Sequence, residues 1–110
     1  MITYDEFARV DVRAGTVRAA EPLAGARKPA FVLHIDFGPE LGERASSVQV
    51  TRRYSAAELV GTQVCAVVNF PPKRIAGFSS EVLVLGMNDA EGAVVLVRPD
   101  RPVPDGARLY

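Results

Sequence analysis

The sequence predicts an all-β fold, a five-stranded Greek-key barrel with short helices at the N-terminus and between the third and fourth strands. Three observations predict it. Short runs of branched apolar residues recur along a chain of 110 residues, the size of one compact domain spanning 1–110, and 48% hydrophobic content is enough to bury a core without staples. Two capping boxes, Thr3 to Glu6 and Ser55 to Glu58, mark the helix starts. A glycine, Gly15, interrupts the first apolar run where its alternation changes phase.

Taken in order, Thr3-Tyr4-Asp5-Glu6 opens a short helix over 3–8, in which hydroxyl and carboxylate satisfy the orphaned amides of the first turn, with Phe7 and Val10 inward. "VDVRAGTVRAA" (10–20) alternates through Val10, Val12 and Ala14, then shifts so that Val17 and Ala19 carry the apolar face; a bulged, bent strand at Gly15 explains the change. "EPLAGARKPA" is a turn-rich loop, and "FVLHIDFG" alternates cleanly, with Phe31, Leu33, Ile35 and Phe37 on one face. Gly38-Pro39 and Gly42 mark a loop before "SSVQVT" (46–51), which turns Val48 and Val50 inward. The second capping box starts a helix of one to two turns stopped by Gly61. "QVCAVVNF", "SEVLVLG" and "AVVLVRP" are three more strands, separated by the loop "NFPPKRIAGFSSE" (69–81) and the polar turn 88–92. The tail "PDRPVPDGARLY" holds too much proline for a central strand and is expected over the surface or at a subunit contact. Three strands, a helix and two or three further strands is the arrangement of an OB-fold.

Composition narrows the function. No apolar run approaches the roughly 18 residues that span a bilayer, and the first residues lack a signal-peptide pattern, so a cytoplasmic protein is expected. Cys65 is the one cysteine and reads as a small core residue. With one His and one Cys there is no metal-ligand spacing, no nucleophile elbow surrounds any serine, and neither "AGAR" nor "GPELG" is a phosphate loop, so neither an enzyme nor a metal or cofactor is expected.

Net charge is zero, but it is unevenly placed. From 44 to 80, Arg44, Arg52, Arg53, Lys73 and Arg74 face Glu58 alone, a local excess of four, while each flank carries an excess of two anions. Arg52 and Arg53 follow the strand that carries Ser46, Ser47 and Gln49, and Asn69, Lys73 and Arg74 belong to the later loop. An OB barrel brings such regions onto one face, where cations supply charge while hydroxyls and amides orient phosphates. The alternative is that these cations are simply solvated at strand ends. Pro71 and Pro72 stiffen the loop and Gly77 permits close backbone approach. Phe78 suits base stacking or a lid over the barrel end, and Phe70 reads as core.

Through "VDVRAGTV", "ARKPAFVLHIDFG", "SSVQVT", "VVNFPPKRIAGFSSEVLVLG" and "VRPDRPVPDG" the chain resembles the CsaA branch of the structure-specific tRNA-binding domain family, related to the domain appended to methionyl-tRNA synthetases. The resemblance covers nearly the whole chain. It implies an OB-fold homodimer, joined through its termini, that binds tRNA by shape without reading sequence, and a chaperone role with exported or unfolded polypeptides. Carried over by position, the binding loop falls on Asn69, Lys73, Arg74, Gly77, Ser79, Ser80 and Glu81, with Ser46, Ser47 and Gln49 from the neighbouring strand. Glu81 would orient a loop cation or cap backbone amides. The wider family has more cations in this loop, whereas positions 76 and 79 here are Ala and Ser, which implies weaker tRNA affinity. For a polypeptide client the implied groove lies near Phe70, Ile75 and Phe78.

Overall fold

A computed structural model describes all of residues 1–110. Its elements are α1 (Tyr4–Ala8), β1 (Val12–Pro22), β2 (Phe31–Asp36), α2 (Gly38–Leu41), β3 (Glu43–Val48), α3 (Ala56–Leu59), β4 (Gln63–Val67), β5 (Lys73–Ile75), β6 (Phe78–Ser80), β7 (Leu83–Val84), β8 (Gly86–Asn88) and β9 (Val94–Leu96). Five antiparallel strands in the order β3-β2-β1-β4-β7 curl into a nearly closed, OB-like barrel, and β5–β6 and β8–β9 form separate hairpins. The long β1 serves two neighbours: Thr16–Pro22 pair with β2 and Val12–Thr16 with β4.

The barrel interior follows from strand alternation. Phe31, Leu33, Ile35 and Phe37 are all buried, as are Val48 and Val50, so the inward faces expected for β2 and β3 are the observed ones. Leu59 of α3 closes the core from outside the sheet, and both capping boxes form with reciprocal hydrogen bonds.

Several expectations are corrected. The register shift in β1 lies between Val17 and Ala19, beyond Gly15. Gly15 serves close packing instead: a Cβ there would stand 2.6 Å from Ile35 Cγ2 and 2.8 Å from Phe37 Cδ1. Ala19 is consequently exposed. The α1 helix buries no residue; Val10 is exposed and Phe7 half-buried, because α1 lies outside the barrel. The Gly38–Leu41 segment is a helical turn with Pro39 near its start, and β3 begins three residues earlier than expected. "SEVLVLG" is broken at Leu85 into β7 and β8, and Gly86 opens β8 because a Cβ there would stand 2.8 Å from Val94 Cγ1.

The expected loop 69–81 contains the β5–β6 hairpin. Its two-residue turn places Ala76 at φ +51° and Gly77 at φ +77°, the positive-φ pair that two-residue hairpins favour and that suits Asn-Gly. An alanine is strained there, so Ala76→Asn is expected to raise stability by about 0.5–1 kcal/mol, read as a higher urea midpoint at unchanged m.

Between β3 and residues 80–82 side chains close the barrel. Ser47 N donates to Ser80 Oγ at 3.0 Å, Ala45 N to Glu81 Oε1 at 3.0 Å, and Ser46 Oγ to Val82 O at 3.0 Å; one backbone bond, Glu81 N to Ala45 O at 2.8 Å, completes the seam. The proline-rich tail lies against the start of β1, with Gly106 N donating to Ala14 O, Ala14 N to Ala107 O and Leu109 N to Val12 O.

Candidate nucleic-acid interface

The β5–β6 hairpin stands over the seam and has a groove on each side. One, of about 490 Å³, is lined by Arg27 and Lys28 from the loop between β1 and β2, by Ser47 and Gln49 of β3 and its end, and by Ile75 and Ala76 of the hairpin. The other, of about 390 Å³, is lined by Phe70, Pro71, Lys73, Ile75, Glu81 and Leu83 among others. Ser47 and Ile75 border both.

The polar residues singled out in the sequence fall into two groups. Those of the first group are committed within the chain. Ser46 is 1% exposed and Ser80 9%, both within the seam together with the Glu81 carboxylate. Asn69 joins α1 to the barrel, its Oδ1 accepting from Asp11 N at 3.0 Å and its Nδ2 donating to Arg9 O at 2.8 Å. Arg52 Nη1 donates to Glu91 O at 3.3 Å, and Arg53 Nε donates to Asp89 Oδ2 at 2.9 Å with Nη2 3.4 Å from Glu91 Oε1.

The second group is open to a ligand. Lys73 and Arg74 are exposed on β5, and Arg74 Nη2 makes one exposed bond to Gly77 O. The Ser79 side chain sits opposite Arg74 in the hairpin register. Gln49 is exposed, Ser47 is half-buried with its hydroxyl unbonded, and Gly77 faces open space. Arg27 and Lys28 are exposed and carry no ion pair. They had no place among the sequence candidates because their segment counts as an acidic flank; in the fold the loop lies on the groove, whose lining holds no carboxylate. The signal available was "ARK" between two strands, the loop position that OB-folds commonly use.

Phe70 is corrected: it is 52% exposed, because the chain leaves the barrel after β4 and Val68 is the last inward residue. Phe78 and Ile75 are half-buried. No group of three His, Cys, Asp or Glu side chains is placed to hold a metal, and no helix is long and apolar enough to cross a membrane.

Two predictions separate framework from interface. Ser46→Ala removes the donor to Val82 O, so it is expected to cost about 1–3 kcal/mol of stability while leaving RNA affinity unchanged in a binding titration of the folded variant. The Asp89 carboxyl is held below its ordinary pKa by the Ala93 amide first, with the Arg53 guanidinium and Glu91 amide adding to it. A depressed folded pKa contributes stability that is present above about pH 4, the unfolded value, and lost as pH falls through the folded one. Asp89→Asn is therefore expected to flatten the acid limb of a plot of urea midpoint against pH.

Residues 12–108 match the family model described as "Putative tRNA binding domain". The solved structure of chaperone CsaA from Bacillus anthracis str. Ames is 51% identical and superposes with a TM-score of 0.93 over 100% of this chain and 99% of that one. The chain belongs to the tRNA-binding domain family, in its CsaA branch. CsaA chaperone protein from Picrophilus torridus gives 44% identity and a TM-score of 0.92, with 100% of both chains covered. Methionine–tRNA ligase from Flavobacterium johnsoniae is 33% identical over 109 residues, which cover 99% of this chain and 15% of that protein. The chain thus spans roughly one-sixth of the length of such curated relatives. Family membership agrees with the barrel, and the exposed hairpin cations lie within a segment that carries the resemblance.

Proposed function

We propose that the protein is a non-catalytic tRNA-binding module that recognises folded RNA by shape, through Lys73, Arg74, Arg27 and Lys28 with Ser47, Gln49, Gly77 and Ser79 orienting phosphates. The observation that carries this reading is that three unpaired cations from two separate segments, Arg27, Lys28 and Lys73, line the grooves on the two sides of one hairpin that also exposes Arg74, and the sole carboxylate of those grooves, Glu81, already accepts from Ala45 N. Ser46, Ser80, Glu81 and Asn69 set the hairpin in position. Arg52 and Arg53, held against Asp89 and Glu91, are left out of the interface. The reaction-free role requires no cofactor, and the cytoplasm, where tRNA is found, is the fitting location.

The test is a fluorescence titration with folded tRNA and with unstructured RNA of equal length. Tighter binding of tRNA, with log K falling by roughly 0.7–0.9 per phosphate contacted for each unit of log salt, is expected; equal affinities would overturn the proposal.

A second reading, binding of extended polypeptide, is favoured by one observation: Phe70 and Leu83 are half exposed along the second groove, beside half-buried Ile75. Binding of an unfolded client that persists at high salt would support it. We further propose a homodimer joined through the termini, where Met1, Ile2, Tyr4, Val10, Leu109 and Tyr110 are exposed apolar residues. Native mass spectrometry reads the assembly directly.

A further inference from the structure

We propose that the groove between the β1–β2 loop and the β5–β6 hairpin takes one unstacked nucleotide, its phosphate on Arg27 and Lys28 and its base edge on Gln49 and Ser47. The inference rests on the tRNA-binding reading and specifies what enters that site.

The lining is mixed in a particular way. Ala26, Ala30, Ile75 and Ala76 supply apolar walls, Arg27 and Lys28 supply charge, and no carboxylate is present. A phosphate backbone lying on an open surface makes no use of apolar walls. A base does, because its faces are apolar and its edge is polar, and RNA-binding proteins characteristically take bases that have left the helical stack. The groove, about 490 Å³, is of the size class that holds a small ligand. The convex backbone of an intact duplex offers nothing that enters such a cleft.

The hydrogen-bonding groups agree. The Gln49 amide is exposed with both donor and acceptor free, and the Ser47 hydroxyl is unbonded, while neighbouring Ser46 and Ser80 are fully engaged in the seam. A side-chain amide presents a donor and an acceptor to a base edge. The absence of carboxylates together with two cations favours an anionic ligand over a neutral peptide backbone.

The experiment compares three RNA hairpins of identical stem: fully paired, with one bulged nucleotide, and with an abasic bulge that keeps the phosphate and lacks the base. The folded protein is expected to prefer the bulged hairpin over the other two by about fivefold or more, the scale of one bidentate base contact. Gln49→Ala is expected to abolish that preference, and the Gln49 side-chain amide NMR signals are expected to shift with the bulged hairpin alone. Equal affinity for all three hairpins would overturn the nucleotide pocket and leave tRNA binding standing. A preference shared by the abasic hairpin would reduce the site to a phosphate contact, which also overturns it. A shift of the Gln49 signals on adding an extended apolar peptide would assign the groove to polypeptide. Failure to bind any hairpin or tRNA would overturn the parent reading as well.

Discussion

Lys73→Ala combined with Arg74→Ala is expected to weaken tRNA binding roughly 20- to 60-fold at about 0.1 M salt, and to lower the magnitude of the log K against log salt slope by about 1.4–1.8. The size of the effect follows from counterion release. Each cation that neutralises a phosphate frees a condensed counterion, so removing both cations removes two such increments. Both side chains are exposed on β5 and neither supports the barrel, so circular dichroism and the urea midpoint are expected to stay at wild-type values. The salt slope is the more diagnostic reading, since partial misfolding would lower the binding-competent fraction and leave the slope unchanged. Retained binding with a wild-type slope would place the RNA on another face. The Ser46→Ala variant is the complementary control: it weakens the barrel beside the same hairpin without removing charge.

The largest effect on stability is expected from Phe37→Ala, at about 3–5 kcal/mol. A small domain has only about 5–15 kcal/mol in total, so the variant is expected to be partly unfolded near physiological temperature. Phe37 is 1% exposed, and its ring stands where a Cβ on Gly15 would fall. Its carbonyl oxygen would lie 2.5 Å from a Cβ on Gly106, at φ +91° in the tail. One residue therefore fills the space under β1 and abuts the tail. Removing the ring leaves a cavity that the glycine cannot fill. Thermal or urea unfolding measures the loss, and hydrogen exchange at Leu109 N and Gly106 N is expected to accelerate as the tail loosens.

The barrel was legible where local chemistry and long-range packing agree. Alternation through Phe31, Leu33, Ile35 and Phe37 specified β2, and two capping boxes specified α1 and α3, because each signal spans a few neighbouring residues. The β5–β6 hairpin was hidden by its prolines and cations, which read as loop chemistry, while the pairing that makes it a hairpin rests on three residues per strand. Phe70 shows the limit of hydrophobicity as a guide: an aromatic at the end of an apolar run faces solvent once the strand has ended. The site was partly legible. Lys73 and Arg74 were evident from charge placement, but the groove needs Arg27 and Lys28, which are separated from them by more than forty residues. No linear window joins them. Strand parity does separate Ser46, in phase with the inward Val48 and Val50, from Ser47; what no local pattern shows is that the Ser46 hydroxyl bonds Val82 O across the seam, which depends on the closed barrel.

The side-chain seam ties the hairpin to the barrel through residue identity. A continuous ladder would fix its inclination to the barrel through the backbone, leaving little for substitution to alter. Here Ser80, Glu81 and Ser46 make three of the four bonds described across the joint, so closure at this edge depends on which side chains stand at positions 46, 80 and 81. Substitution at any of these three positions is therefore expected to loosen the closure, where a backbone ladder would tolerate the change.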